Sequence, residues 1–193
     1  NAAALLKPLP SRGGLAAQCR HAADALRERF APVLLNPETG WVAGWRSRDG
    51  QLHDYGFTWV NGVALAFGLL DADAGRTALL ALERARQETG LPAARLGLPC
   101  NLLPIRSDDQ MWSKILNSLQ PTFETYTDGS LSGWPATYYL RALSIHGLKE
   151  HARRLAKELS DGYAAGTFNG GNGSGHEFRS WEGLGTGYEG TLI

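Results

Sequence analysis

The sequence predicts an all-α protein, and more specifically an α/α toroid, in which an inner ring of helices is surrounded by an outer ring. Hydrophobic residues recur at helical spacing, and amphipathic helices alternate with helices that are apolar on every face. Short turns also alternate with long loops along the chain. Two concentric layers of helices, with all the long loops on one face, account for these observations.

The composition is that of a globular chain of 193 residues, enough for one domain or part of one. Its 19 basic and 19 acidic residues cancel, which argues against a nucleic-acid interface and a membrane-surface patch. The two cysteines indicate no disulfide framework, and the longest uncharged apolar run, 57–70, is too short to span a bilayer. Because the chain starts at Asn1 without methionine, we expect a piece of a longer protein.

Three helices are predicted in the first half of the chain. Apolar residues at helical spacing indicate an amphipathic helix at about 14–30. The apolar run 57–70 predicts a buried helix rather than a strand, because of its length and its Ala and Leu content. A second amphipathic helix is predicted at about 74–89, and Gly90 suits its C-terminal end.

The second half continues the alternation after a long loop with a short predicted helix at 108–119. A buried helix is predicted at 134–145, opened by Trp134-Pro135, and a charged amphipathic helix follows at 148–159. Residues 187–193 resemble the start of another buried helix. A helical solenoid is the alternative architecture, but the unequal spacing of the buried helices disfavours it.

The stretches before three predicted buried helices share acidic residues, glycines and aromatic residues, at 49–62, 126–139 and 176–190. The second contains Tyr126-Thr-Asp-Gly and Trp134-Pro, and the third contains Gly187-Tyr-Glu-Gly. These motifs resemble those of the six-hairpin glycosidase superfamily, whose members include glucoamylase-like, trehalase-like, rhamnosidase-like and debranching-enzyme-like hydrolases. The resemblance implies an (α/α)6 barrel of which this chain supplies roughly the C-terminal half.

The resemblance also implies hydrolysis with inversion by two carboxylates, one protonating the leaving oxygen and the other activating water. The general base commonly precedes the last inner helix, and here that window contains Glu177, Glu182 and Glu189. The general acid either lies upstream of this chain or is one of four aspartates. These are Asp54, Asp108, Asp109 and Asp128. Of the four, we predict Asp54 as a catalytic residue alongside the three glutamates.

The loops also carry the groups that bind sugars, whatever the family. Aromatic rings pack against pyranose C–H faces, polar groups pair with hydroxyls, and glycines allow close backbone approach. The aromatic candidates for substrate binding are Trp59, Trp134, Trp181 and Tyr188, with Trp41, Trp45, Tyr55 and Tyr126 as further rings. The polar candidates are Asn61, Asn101, Arg106, Asp108 and Asp128, with Arg179 as a further one.

These residues also have structural interpretations. Glu189 suits a helix N-terminus, and His53-Asp54 suits a turn. Asp108-Asp109 suits a helix cap, and Trp59 and Trp134 suit the core.

We expect an oligo- or polysaccharide substrate, no nucleic-acid or membrane partner, and no metal or cofactor, because His and Cys lack zinc spacing. The missing barrel half or a second copy is a further expected partner, and the compartment is left open between cytoplasm and periplasm or secretion. The alternative functions are an α/α-barrel phosphorylase, epimerase or lyase, and a non-catalytic helical carbohydrate-binding or scaffold module.

Overall fold

The computed structural model describes residues 13–91, 94–109, 123–166 and 176–189. The α-helices in these ranges are α1 (Gly13–Leu34), α2 (Thr58–Ala66), α3 (Ala72–Glu88), α4 (Ala136–Ile145) and α5 (Lys149–Ala164). The strands are β1 (Trp45–Arg46), β2 (Leu52–His53), β3 (Leu98–Pro99), β4 (Leu131–Ser132), β5 (His176–Arg179) and β6 (Gly185–Glu189). A 3-10 turn covers Ala94–Leu96.

The prediction of an all-α toroid, or of half an (α/α)6 barrel, is wrong, because the protein is a mixed α/β structure. One antiparallel sheet contains β1 and β2, and a second contains four strands in the order β3-β4-β5-β6. The helix start predicted at 187–193 is strand β6 as far as Glu189, which pairs with His176. Residues 190–193, and the helix predicted at 108–119 beyond Asp109, lie outside the described residues.

The strands escaped prediction because most of them are very short and the central pairings of the larger sheet join distant parts of the sequence. Strands β1 to β4 have two residues each, too few to display the alternation of polar and apolar residues that marks a strand. Strand β4 pairs with β3 through Leu98↔Ser132 and with β5 through Leu131↔Arg179. Such long-range pairing depends on the tertiary fold rather than on local sequence.

Five of the predicted helices are confirmed, with ends that differ by a few residues from the prediction. Asp71 caps α3 by accepting a hydrogen bond from the Ala74 backbone N–H at 2.8 Å. Gly90, with a φ of +70°, follows the end of α3, as its position in the sequence predicted. Among the described helices, none is both long and apolar enough to cross a membrane.

The main core lies where α2 packs against α4. Leu65 of α2 and Tyr139 and Leu143 of α4 are fully buried, and Leu79 of α3 joins the same cluster. Gly62 makes the close helix contact possible, because a Cβ atom there would lie 2.9 Å from the Tyr139 backbone nitrogen. The two helices that follow the first two candidate loops are therefore packed closely against one another.

The four-stranded sheet fixes where these two helices begin. At the start of α2, the Thr58 N–H donates to the Cys100 carbonyl at 3.0 Å, and the Thr58 hydroxyl donates to the Pro99 carbonyl in β3. Strand β4 ends at Ser132, and the chain turns through Gly133 and Trp134 into α4. The N-terminal ends of α2 and α4 thus lie beside the same sheet, together with the loops that precede them.

Candidate functional site: an aromatic cavity

A cavity of about 270 Å³ lies at the starts of α2 and α4, and its walls are mainly aromatic. Its lining includes Trp45, Phe57, Trp59, Ile105, Thr127 and Trp134. The rings of Trp59 and Trp134 meet edge to face, with centroids 5.2 Å apart. Trp59 is 43% exposed, so the interpretation of this residue as part of the core is wrong. Its ring is accessible to a ligand.

Trp45 forms the wall of the cavity on the side of the β1–β2 sheet. It lies opposite His53 in that sheet, and the two rings stack with centroids 4.8 Å apart and planes 7° from parallel. Its ring also contacts Tyr55 and Phe57, at centroid distances of 6.2 and 6.0 Å. The position of this tryptophan is therefore set by three other aromatic side chains.

A polar cluster of His53, Tyr55 and Asp109 lies behind Trp45. His53 Nδ1 is 2.7 Å from Asp109 Oδ2, and the same oxygen accepts a hydrogen bond from the Tyr55 hydroxyl. The hydrogen bond from Tyr55, followed by that from His53, lowers the pKa of Asp109. Burial and the Asp109 contact raise the pKa of Tyr55 to about 12. Asp109 is therefore an anion that holds two loops together, and it is a poor general acid.

The contribution of Asp109 to stability depends on pH. Because its pKa in the folded state lies below the unfolded value, the contribution is complete above the unfolded pKa and disappears as the pH falls through the folded pKa. We expect Asp109→Asn to lower the unfolding free energy at pH 7 by about 1–2 kcal/mol and to have a progressively smaller effect as the pH falls below the unfolded pKa. Thermal unfolding at several pH values measures this difference.

Asp108→Asn is the matched control for this prediction, because the Asp108 side chain is 63% exposed and pairs with the exposed Arg106 at 2.6 Å. We expect its stability cost at pH 7 to be no more than about 0.5 kcal/mol. An Asp109→Asn variant whose cost is the same at pH 3 and pH 7 would contradict the assignment of Asp109 as a stabilising anion.

Asp54 lies in a turn beside this cluster, and its carboxylate accepts three hydrogen bonds. The donors are Asn36 Nδ2 at 3.0 Å, the Thr39 hydroxyl at 2.5 Å and the Gly56 backbone N–H at 3.1 Å. These contacts hold the turn at 36–39 against the start of the next loop. They agree with a turn-stabilising role, and the catalytic role of Asp54 stays a prediction.

Asp128 and Asn101 form a buried network directly behind the cavity wall. Asp128 Oδ1 accepts hydrogen bonds from Asn101 Nδ2 at 2.9 Å and from the Ile105 N–H at 3.3 Å. Asn101 Oδ1 accepts one from the Gly129 N–H at 2.8 Å. Thr127 precedes Asp128 in the chain and Ile105 donates to its carboxylate, and both of these residues line the cavity. Asp128 therefore lies next to the cavity wall.

The turn between β5 and β6 is attached to the same region through Trp181. The Trp181 indole N–H donates to the Gly129 carbonyl at 2.6 Å, and its backbone N–H donates to Glu124 Oε2 at 2.9 Å. Glu182 follows it in the chain and is exposed. The turn therefore brings the base candidate Glu182 to the loop that carries Asp128.

The other candidates are spread more widely. Arg106 and Asp108 form an exposed ion pair, and Asn61 is buried with hydrogen bonds to both the N–H and the carbonyl of Val42. Glu177 lies on β5, and Tyr188 and Glu189 lie on β6, but their side chains are outside the described part of the structure. The backbone pairing of Glu189 with His176 still places Glu177 and Glu189 close together in one hairpin.

The structure thus gathers Trp59 and Trp134 in one cavity, with Asp128 and Asn101 behind its wall and Trp181 beside them. Three wall residues were not predicted as site residues from the sequence: Phe57, Ile105 and Thr127. Phe57 lies in the stretch 49–62 and Thr127 in the stretch 126–139, so their positions within these motifs could have identified them as site residues. Within the described ranges, no three His, Cys, Asp or Glu side chains are grouped as metal ligands would be.

The chain matches no model of a known protein family, and no curated protein is significantly similar to it. The resemblance to six-hairpin glycosidases therefore stays a prediction from short motifs.

Proposed function

We propose that this protein is a carbohydrate-active hydrolase that binds a saccharide in the aromatic cavity and cleaves a glycosidic bond beside it. The observation that carries this proposal is the convergence of Trp45, Trp59 and Trp134 on one accessible cavity. Sugar rings present C–H faces that pack on indoles, and the remaining hydroxyls take polar partners at the rim.

The size of the cavity points to recognition of a single sugar unit. Its volume of about 270 Å³ is just below the range of roughly 300–1,000 Å³ that is usual for small-molecule pockets. The edge-to-face pair of Trp59 and Trp134 offers two ring surfaces at a large angle, 68°, to one another. A pyranose contacting both would be fixed in orientation as well as in position.

Hydrolysis needs two carboxylates on opposite sides of the scissile bond. On this proposal the base comes from Glu177, Glu182 or Glu189 in the β5–β6 hairpin. Asp128 is the acid candidate, because Ile105, which donates a hydrogen bond to it, lines the cavity. The attachment of Trp181 to Gly129 supports this pairing, because it holds the hairpin turn against the Asp128 loop. The other aspartates are engaged elsewhere, Asp109 with His53 and Tyr55 and Asp54 with its turn.

A carbohydrate-binding protein without catalysis is the second candidate. It is favoured by one observation: among the described residues that line the cavity, none is an aspartate or a glutamate. Both functions require saccharide binding, and only the first requires the carboxylates to take part in a reaction.

Saccharide binding is tested by replacing Trp59. We expect Trp59→Ala to weaken binding of the monosaccharide or disaccharide preferred by the wild type by about 5–50-fold, because the stacking surface is lost. Saturation-transfer NMR with a panel of methyl glycosides and disaccharides identifies the preferred ligand, and titration calorimetry measures its affinity. Trp59 is 43% exposed and outside the buried core, so its loss should leave the fold intact.

Phe67→Ala is the matched control, because Phe67 is an aromatic residue with 47% exposure that lies outside the cavity lining. We expect this variant to bind the saccharide as the wild type does. Equal affinities for the wild type and Trp59→Ala, or the absence of binding to any member of the panel, would contradict the proposed function.

A further inference from the structure

A second cavity lies between α4 and α5, and its volume of about 640 Å³ is more than twice the 270 Å³ of the aromatic cavity. Trp134 and Thr137 line it at the start of α4, and Ala156, Ser160 and Tyr163 line it from α5. We call it the α4–α5 groove. Thr137, Ala156 and Ser160 are exposed, and Tyr163 is 45% exposed, so the groove is open to solvent.

Trp134 belongs to both cavities. It lines the α4–α5 groove, and it also lines the aromatic cavity, where its ring meets that of Trp59. Because the two cavities share this residue, they are neighbours on the surface of the protein. A saccharide chain that fills the aromatic cavity and continues past Trp134 therefore reaches the groove.

The groove offers the two kinds of contact that a saccharide makes. Leu140, Ala156 and the ring of Tyr163 form apolar surface, which suits the C–H faces of a pyranose. Thr137 and Ser160 contribute exposed hydroxyl groups, which both donate and accept hydrogen bonds, as sugar hydroxyls do. Among the described residues that line the groove, none is charged, so a neutral ligand suits it better than an ionic one.

The exposed hydroxyls disfavour a protein segment as the occupant of the groove. An apolar helix seated there would cover Thr137 and Ser160 and remove their hydroxyls from water, which costs free energy unless each hydroxyl finds a new partner. A saccharide carries hydroxyl partners around its rings. The polarity of the groove therefore favours a sugar chain over a second copy of the protein.

We propose that the α4–α5 groove is a second saccharide subsite, which binds the sugar units next to the one in the aromatic cavity. Its volume lies within the range of roughly 300–1,000 Å³ that is usual for small-molecule pockets. This inference rests on the proposed function. It identifies the substrate class as a neutral oligosaccharide chain rather than a simple glycoside.

The first test measures affinity against chain length. Malto-, cello-, manno- and xylo-oligosaccharides of one to four units are titrated into the wild-type chain by calorimetry. In the series that binds most tightly, we expect the affinity to rise at least about tenfold from one unit to three, because the added units gain ring contacts in the groove. Affinities that do not rise with chain length in any series would overturn the proposal.

Tyr163→Ala locates the gain in the groove. We expect this variant to lose most of the rise in affinity between one unit and three, and to bind the monosaccharide as the wild type does. Tyr163→Phe keeps the ring and should keep most of the rise, which separates loss of stacking from loss of the hydroxyl. A full rise in a Tyr163→Ala chain with wild-type circular dichroism would overturn the proposal.

Ser160→Trp tests the same site by filling it, and it does not depend on how well Tyr163→Ala folds. Ser160 is exposed, so a larger side chain there should leave the core intact. We expect the rise in affinity to be lost and monosaccharide binding to be unchanged. Sedimentation tests the other occupant: a wild-type dimer that Ser160→Trp dissociates, with affinity independent of chain length, would assign the groove to a second copy and overturn the proposal.

Phe67→Ala is again the matched control, because Phe67 is 47% exposed and lies outside the lining of both cavities. Its rise in affinity should equal that of the wild type. Failure of this proposal is distinguishable from failure of the proposed function. Monosaccharide binding that requires Trp59, with no rise for longer chains, overturns the groove assignment alone. Trisaccharide binding that requires Tyr163 but not Trp59 overturns the role of the aromatic cavity alone.

Discussion

One of the variants Glu177→Gln, Glu182→Gln and Glu189→Gln is expected to lower the turnover of a glycoside substrate by about 10²–10⁴-fold. The reason is that an amide cannot take the proton from the attacking water, so the contribution of general-base catalysis is lost. All three glutamates lie in the β5–β6 hairpin, which Trp181 attaches next to Asp128. The measurement that checks this is the turnover number of each variant with the glycoside that ligand screening identifies.

Glu88→Gln is the matched control for this experiment, since Glu88 is an exposed glutamate at the end of α3. Its turnover should equal that of the wild type. If all three hairpin variants also retain wild-type turnover, the hairpin does not supply the base. If the wild type binds saccharides without hydrolysing any, the second candidate function, carbohydrate binding alone, replaces the first.

Arg86→Ala is expected to lower the free energy of unfolding by about 3 kcal/mol, because it leaves a buried carboxylate without its counter-ion. Glu83 is 3% exposed and accepts hydrogen bonds from Arg86 Nη2 at 3.0 Å and from the Tyr139 hydroxyl at 2.9 Å. Burial and the neighbouring Glu83 raise the pKa of Tyr139, which therefore stays a neutral donor. Urea unfolding followed by circular dichroism measures the loss.

Two further variants separate a lost ion pair from a generally sensitive helix. Arg84 is exposed on the same helix, and we expect Arg84→Ala to cost no more than about 0.5 kcal/mol. The triple variant Glu83→Met, Arg86→Met and Tyr139→Phe should recover most of the stability. Apolar side chains of similar volume then replace the buried pair at little cost, and no Tyr139 hydroxyl is left without its acceptor. Equal losses for Arg84→Ala and Arg86→Ala would contradict this account of the core.

The helices could be predicted from the sequence because their signals are local. The apolar periodicity of α3 includes Leu79 and Leu82, both fully buried, and its ends are marked by Asp71 and Gly90. Each of these signals depends on residues within a few positions of one another. The same information was available for α4, whose buried face includes Tyr139.

The sheets could not be predicted in this way. Pairing of Leu131 with Arg179 joins residues 48 positions apart, and no local pattern encodes it. The glycine-rich stretch around Gly185 and Gly187 resembled the approach to a helix, yet it is a strand of a hairpin. The toroid prediction failed because it treated every segment between helices as a loop.

The candidate site was partly predictable for the same reason. Trp59 and Trp134 stood out because each lies at the start of a buried helix, and α2 and α4 begin side by side. The contact between His53 and Asp109 spans 56 positions, so no local pattern links the two residues. The α4–α5 groove and the burial of Arg179 became visible only once the packing was known.

The central claim, that the cavity binds a saccharide, is tested most directly by the indole N–H signals of a ¹⁵N-labelled sample. Single Trp→Phe variants assign these signals, and the preferred saccharide is then titrated. We predict that the signals of Trp45, Trp59 and Trp134 shift with one common dissociation constant, because all three line the cavity. The signal of Trp41, which is buried in a separate cluster with Leu82 and Leu102, should stay in place. A shift of Trp41 alone, or no shift of the three cavity tryptophans, would contradict the account.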